Sequence, residues 1–377
     1  MSDSRDAEFM EEAINLAKKG LFSTSPNPRV GCVIVKNSKI IGKGYHSLAG
    51  GDHAEIVALR DAGSGVEGSS LYTTLEPCNS TGKTGPCTKK LIDARIKRVV
   101  VAMIDPNPRV NGAGITELKN AGIEVVLGVL EIQAINLNLG FIKRMKYGLP
   151  WVRAKMAISV DGKTALSSGN SKWITGSQAR EDNHKWRARA CMVLTGIGTL
   201  SKDNPKLNVR SVETSRQPTK VLVDPNFQSN LSLDFFSSGK IIIFVLHDSN
   251  VDKTKEKNIK KNIDIVKIGK HPIHFGKVNL RLLLSELAKK ECNELHLEAG
   301  ASLSGSFMFD NLVDEWLIYS APLFLENGLP TLKSENDYTN MGDISKWKFE
   351  EVTKLGEDLR MILRPKEFCA SNFAKGF

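Results

Sequence analysis

The sequence predicts an α/β protein of two domains, the first a mixed sheet with helices on both faces and the second another α/β sheet. Its length of 377 residues is more than one domain of ordinary size requires. Short apolar runs of strand length alternate with stretches of helical periodicity through both halves, the pattern of layered α/β architecture. The alternation breaks at Lys146-Tyr147-Gly148-Leu149-Pro150, where a basic helix end meets Gly and Pro. We therefore expect one domain over residues 1–146, a linker over 147–150 and a second domain over 151–377.

In the first half, residues 7–19 place Phe9, Met10, Ala13, Ile14 and Ala17 on one helical face, and Gly20 stops the helix. Ser25-Pro26-Asn27-Pro28 is a loop stiffened by its prolines. The run Val30-Gly31-Cys32-Val33-Ile34-Val35 reads as a buried strand in which Cys32 is a small core residue. Lys36-Asn37-Ser38 turns it into a second strand over residues 40–46, forming a hairpin. A helix starting at His53, a strand over 70–75 and a helix opening at Cys87 follow. Strands over 98–103 and 122–126, with a helix around Thr116-Glu117-Leu118-Lys119, complete this half.

The second half carries strand patterns over 151–159, 191–196, 220–224, 240–246, 263–266, 294–298, 315–319 and 359–363, with helices over 177–190 and 280–289. No Gly-x-Gly-x-x-Gly follows its first strand, which excludes an ordinary Rossmann dinucleotide domain. A run of small residues after Glu298 follows a strand and opens a helix, where backbone N–H groups can approach a phosphate.

Apolar content of 41% and charged content of 25% are ordinary for a soluble globular protein, and no apolar run reaches membrane-spanning length. The polar, acidic start is not a secretory signal, and six scattered cysteines indicate a reducing cytoplasm rather than a disulfide framework. A net charge of +10 fits either a nucleic-acid backbone or phosphate-bearing small ligands. The lysine-rich stretch over 253–261 has no interleaved aromatics and reads as solvated surface, so charge alone selects neither.

The chemistry is concentrated in residues 53–87. His53-Ala54-Glu55, Pro77-Cys78 and Pro86-Cys87 are the parts of a zinc deaminase. One imidazole and two thiolates fill three tetrahedral positions, and the metal lowers the pKa of a water in the fourth. Glu55 is not a ligand; it carries the proton from that water to the departing amine. A thiolate near a helix N-terminus is stabilised by unpaired N–H groups. His-x-Glu alone would read as a capping histidine, but two prolyl-cysteines behind a strand favour metal. Nucleoside and nucleic-acid deaminases usually have Pro-Cys-x-x-Cys. Here residues 79–86 intervene, a Gly-, Thr-, Ser- and Lys-bearing loop able to bend around a polar ligand.

The segment HAE…TTLEPCNSTGKTGPC resembles the deaminase half of the bifunctional riboflavin biosynthesis family, in which a pyrimidine deaminase and a pyrimidine reductase share one chain. The resemblance implies a cytidine-deaminase-like three-layer fold, Zn²⁺ on His53, Cys78 and Cys87, Glu55 as the catalytic residue, and contacts to pyrimidine and ribose phosphate from Asn27, His46, Lys83 and Asn107. The structural alternatives are a turn asparagine, a capping histidine, a solvated lysine and a second turn asparagine. Ser80 stands where the family often has histidine, so no contact is carried over for it.

In the second half, Ser159-x-Asp161-Gly162-x-Thr164, Ser171-Lys172-Trp173-Ile174-Thr175-Gly176, His184-x-x-Arg187-Ala188, Thr195-Gly196-Ile197-Gly198-Thr199 and Asp203-Asn204-Pro205-x-Leu207-x-x-Arg210 resemble the reductase half of the same family. That domain is similar to dihydrofolate reductase, which binds NADPH without a Rossmann fingerprint. By this resemblance Ala157, Thr164, Trp173, Thr199 and Asp203 hold NADPH, together with Gly300, Ala301, Ser302, Leu303, Ser304, Gly305 and Ser306. Ser171, Arg187, Leu207, Arg210 and Glu298 hold the sugar-phosphate substrate. A guanidinium fork suits phosphate. Trp173 offers a flat wall, with a core tryptophan as the alternative, and Glu298 suits ribose hydroxyls, with a helix cap as the alternative. Ala299 and Cys191 stand where the family often has Gly and Asp.

The resemblance implies a cytoplasmic enzyme for two consecutive steps on a phosphorylated pyrimidine. The first is zinc-dependent hydrolytic deamination of 2,5-diamino-6-ribosylamino-4(3H)-pyrimidinone 5′-phosphate. The second is NADPH-dependent reduction of its ribosyl group to ribityl. A homodimer or larger assembly is implied, with no nucleic-acid or membrane partner. A nucleic-acid base deaminase with an accessory domain would carry the short cysteine spacing and a basic or aromatic groove, and a non-catalytic zinc protein would lack Glu55. Neither pattern is present.

Overall fold

The computed structural model describes residues 4–79, 85–249, 259–274, 276–333 and 339–375. The chain forms two compact units, Met1–Gly148 with Cys369–Phe377, and Leu149–Phe368. The sequence predicts everything beyond residue 150 in the second domain; the structure instead returns helix Ala370–Lys375 to the first unit. There it packs on helix Glu131–Leu137, with Phe373 stacked on Tyr147 at 5.6 Å and Lys146 Nζ donating to the Ala374 carbonyl.

The first unit is a five-stranded sheet of β1 (Gly31–Lys36), β2 (Lys39–Tyr45), β3 (Ser70–Thr73), β4 (Arg98–Val101) and β5 (Glu124–Leu127), in the order β2-β1-β3-β4-β5. β1 runs antiparallel to β2 and β3, while β3, β4 and β5 are parallel. Glycines on β2 let helix Ala54–Ala62 lie close on the sheet: a Cβ on Gly44 would come within 2.2 Å of the Ala54 carbonyl oxygen, and one on Gly42 within 2.4 Å of that of Ala58. This close approach fixes the helix start, and with it His53 and Glu55, beside the sheet.

The second unit is a nine-stranded sheet. Its strands are β6 (Trp151–Ser159), β8 (Met192–Gly196), β9 (Thr219–Val223), β10 (Ile241–Leu246), β11 (Ile263–Ile268), β12 (Glu294–Leu297), β13 (Glu315–Ala321), β15 (Trp347–Leu355) and β16 (Asp358–Pro365). The order is β11-β10-β9-β8-β12-β6-β13-β16-β15, parallel through β13 and antiparallel for the last two strands. A separate two-stranded ribbon pairs β7 (Lys163–Ala165) with β14 (Leu329–Pro330). The two-residue period of the strands sends Val221, Val223, Ile242 and Phe244 into one apolar cluster and Leu222, Ile241, Ile243 and Val245 into another. Both faces are therefore covered, as the continuous apolar runs predict. β15, which the sequence pattern does not reveal, is an edge strand with Phe349 and Val352 exposed. Among the described residues no helix is long and apolar enough to cross a membrane.

Candidate active sites

In the first unit, His53 is the N-cap of helix Ala54–Ala62 and Glu55 lies in its first turn, 3% exposed. Cys78 follows β3, and its carbonyl accepts the Thr88 N–H at 3.2 Å. Cys87 is the first residue of helix Cys87–Asp93, with Pro86 as N-cap. These elements bring one ligand atom each from His53, Cys78 and Cys87 within 4.8 Å of one another. His53 Nδ1 is 3.2 Å from Cys87 Sγ and 3.5 Å from Cys78 Sγ. The hydrogen bond between the thiols, with His53 beside them, lowers the Cys78 thiol to about 4 and pushes that of Cys87 well up. The bond to Cys78 raises His53, and burial raises the Glu55 carboxyl to about 7. An imidazole and two thiols gathered at one point are a donor set that fits Zn²⁺.

His46 is 3% exposed, and its ring lies edge-on to His53 at 5.6 Å between centroids. Its Nδ1–H donates to the Asp52 carbonyl at 2.9 Å, so Nε2 is the acceptor for Asn27 Nδ2 at 3.0 Å. Burial lowers its pKa, in keeping with that neutral tautomer. Asn107 is engaged locally: its N–H donates to Asp105 Oδ1 at 2.8 Å and its Oδ1 accepts the Arg109 N–H at 3.1 Å. Lys83 and Ser80 lie outside the described residues.

Two carboxylates here carry no sequence signal. Asp105 is 7% exposed, and burial raises its carboxyl to about 7, with Glu76 and Cys78 adding to the shift. Glu76 accepts backbone N–H groups from Asp105, Gly112, Gly114 and Ile115 at 2.9–3.2 Å, tying the loop after β4 to the segment that bears Cys78.

The second unit holds a cavity of about 1390 Å³, larger than one small ligand needs. Ala157, Thr164, Ser171, Trp173, Thr199 and Asp203 line it, as do Arg187, Leu207, Arg210 and Glu298. Of residues 300–306, all but Ser304 line it; Ser304 is 2% exposed and donates to the Ala299 carbonyl at 3.3 Å. Helical geometry turns that one side chain inward. Gly300 precedes helix Ala301–Phe309, and its N–H is already taken by Thr199 Oγ1 at 3.0 Å. No side chain caps the N–H groups of this helix's first turn.

Glu298 and Arg187, both expected to face substrate, meet each other in a two-bond ion pair of 2.5 and 2.9 Å, and Arg187 Nη1 donates to the Asn208 carbonyl. Burial opposes the Glu298 charge, yet Arg187 outweighs it and holds the carboxyl well below the usual range. Arg210 is exposed and hydrogen-bonds Asn208 Oδ1, which leaves it the more open guanidinium. Leu207 is 4% exposed and packs in an apolar cluster, while Trp173 is 67% exposed with Arg180 4.7 Å over its ring. Trp173 is therefore no core residue. Two further lining residues were given no role by the sequence: Lys155, whose pKa burial lowers, and His184, named only within a motif, which burial and the nearby Arg187 push down to about 4.

Comparison with known proteins agrees over both units. The family model described as RibD C-terminal domain matches residues 150–361, and the cytidine and deoxycytidylate deaminase zinc-binding region matches residues 3–103. The riboflavin biosynthesis protein RibD of Haemophilus influenzae is 40% identical over 376 residues, covering 96% of this chain and 98% of that protein. A structure of Acinetobacter baumannii RibD superposes with a TM-score of 0.88 at 40% identity, covering 97% of this chain and 99% of that one. The diaminohydroxyphosphoribosylaminopyrimidine deaminase/5-amino-6-(5-phosphoribosylamino)uracil reductase of Thermotoga maritima gives 0.84 at 31% identity, covering 96% and 99%. The first unit thus has the cytidine-deaminase fold and the second the dihydrofolate-reductase-like reductase fold, with Zn²⁺ and NADPH as their cofactors. Matched in order and over nearly its whole length, the chain belongs to the RibD family of bifunctional deaminase–reductases of riboflavin biosynthesis.

Proposed function

We infer that this chain carries out both reactions named for the Thermotoga maritima relative, in sequence, on a phosphorylated pyrimidine. The observation that carries the reading is the convergence of His53, Cys78 and Cys87 beside the buried carboxyl of Glu55. Zn²⁺ held there supplies Lewis acidity toward a water in the fourth position. Glu55 takes a proton from the attacking water and delivers it to the departing 2-amino group. A carboxyl raised to about 7 suits a group that must accept and return a proton near neutrality. Asn27 and the neutral His46, locked by their mutual bond, hold the substrate with Lys83 and Asn107.

In the second unit NADPH supplies the hydride to C1′ of the ribosylamino group. Ala157, Thr164, Trp173, Thr199, Asp203 and the first turn of helix Ala301–Phe309 position the cofactor. Ser171, Leu207 and Arg210 receive the sugar phosphate, and the Glu298–Arg187 pair forms the floor beside it. Lys155, beside that pair, is the group placed to supply the proton that balances the hydride. The reading includes a cytoplasmic homo-oligomer. A paired assay with the diaminopyrimidine ribosyl phosphate tests it, following ammonia release and NADPH oxidation together. Wild type should release ammonia and then oxidise NADPH. Glu55→Gln should do neither, yet oxidise NADPH when given the deaminated intermediate. No ammonia from zinc-loaded wild type would sink the substrate assignment.

A further inference from the structure

Helix Ser177–Arg189 presents Ser177, Arg180, His184 and Arg187 to the reductase cavity, residues spaced so that they share one helical face. The two arginines on that face are engaged. Arg180 lies 4.7 Å over the ring of Trp173, and Arg187 gives Nε and Nη2 to Glu298 and Nη1 to the Asn208 carbonyl. His184, between them, is 6% exposed, and neither of its ring nitrogens has a hydrogen-bond partner among the described residues. Nδ1 is fully buried, which makes Nε2 the nitrogen open to the cavity.

A buried polar atom without a partner costs free energy, so an imbedded imidazole with both nitrogens unfilled is waiting for a guest. An orphaned lone pair is tolerated more readily than an orphaned N–H, which puts the proton on Nε2 and makes the open nitrogen a donor. Burial, with the Arg187 and Arg210 guanidiniums nearby, pushes the ring down to about 4, so at neutral pH it donates as a neutral imidazole. Arg210 is exposed and bonds Asn208 Oδ1 at 3.0 Å, which leaves most of its N–H fork open beside this wall. The lysines nearest to it in the chain are turned elsewhere: Lys206 faces Asp234 at 3.8 Å, and Lys202 lies against Gly169.

We propose that His184 donates its Nε2–H to the 5′-phosphate of the reductase substrate, beside Arg210, and so favours phosphorylated over dephosphorylated substrate. The inference rests on the reductase reading above. A donor among guanidiniums calls for an acceptor rich in negative charge, and the phosphate is the part of that substrate that carries it.

The test is calorimetric binding of ribose 5-phosphate to the full chain, with reductase kinetics on the deaminated intermediate and on its dephosphorylated form. His184→Leu should weaken ribose 5-phosphate, and raise the KM for the phosphorylated substrate, by roughly tenfold to a hundredfold. The KM values for the dephosphorylated substrate and for NADPH should hold. His184→Gln, whose amide nitrogen reaches as far as Nε2, should restore most of the affinity, whereas the shorter His184→Asn should not. Equal losses on both substrates, a glutamine variant as weak as the leucine one, or a rise confined to NADPH overturns the proposal. So does unchanged ribose 5-phosphate binding in a leucine variant that melts like wild type. If the leucine variant does not fold, His184→Met carries the same comparison. A wild type that reduces both forms with equal KM overturns the inference alone; one that reduces neither overturns the reductase reading with it.

Discussion

In the first unit three donor atoms converge within 4.8 Å, all supplied by residues 53–87, and two buried carboxylates, Glu55 and Asp105, stand close by. In the second, charged side chains are strung along a cavity of about 1390 Å³, and two of them, Glu298 and Arg187, spend their charge on each other. The first arrangement concentrates electron-rich donors at a point and so suits a single cation. The second cancels charge locally and leaves separate cations, Arg210 and Lys155, for an extended anionic guest. A site for an ion and a site for a dinucleotide with its substrate thus differ in how far apart their parts can be drawn from the chain.

The largest effect is expected where the parts are concentrated. Cys78→Ser should lose bound zinc, read by elemental analysis, and slow ammonia release by on the order of a thousandfold or more. Hydride transfer to the deaminated intermediate should be unchanged; a parallel loss would show that the two sites do not act separately and would break the contrast. Next comes the Glu298–Arg187 pair. Glu298→Gln strands a guanidinium in a buried setting and should cost about 3–5 kcal/mol in denaturant unfolding. Replacing both partners, Arg187→Met with Glu298→Leu, should cost less than either single change, and equal or additive costs would mean the charges are not cancelling each other.

The smallest effect concerns Lys220 on β9, which is 3% exposed, donates to the Phe235 carbonyl and has no carboxylate partner among the described residues. Burial lowers its pKa from 10.5 to about 8. Between those values the unfolded chain binds the extra proton, so this residue makes stability rise with pH through that window and penalises the fold below it. Lys220→Met should flatten that rise and, at pH 7, stabilise the second unit by on the order of 1 kcal/mol after solvent screening. Melting curves from pH 7 to 10 would show it, and a variant with the wild-type slope would place the titration elsewhere.

The zinc centre was legible because His53 and Cys87 sit at helix starts and Cys78 follows a strand, all within one run where spacing survives folding. Glu76 was not, since its four backbone donors come from the loop after β4 and the first turn of helix Ala113–Asn120, and nothing in Leu75-Glu76-Pro77-Cys78 marks it as an acceptor. The same limit explains Arg187 and Glu298: each side chain suits a sugar phosphate, and only the packing of helix Ser177–Arg189 against β12 shows that they face each other. Ser304 looked like its small neighbours until the helix turned it inward. β15 hid because an exposed edge strand, rich in Lys and Glu, lacks the apolar run that betrays the central strands.

Helix Ala370–Lys375 completes the first unit only after the chain has traversed the whole of the second. During synthesis the surface of helix Glu131–Leu137 and the ring of Tyr147 must wait for partners that leave the ribosome later than every strand of the reductase sheet. The deaminase unit is thus the first to be started and the last to be finished. An attempt to produce it alone by cutting after Gly148 would remove its closing piece, whereas supplying residues 369–375 through a short graft would restore it.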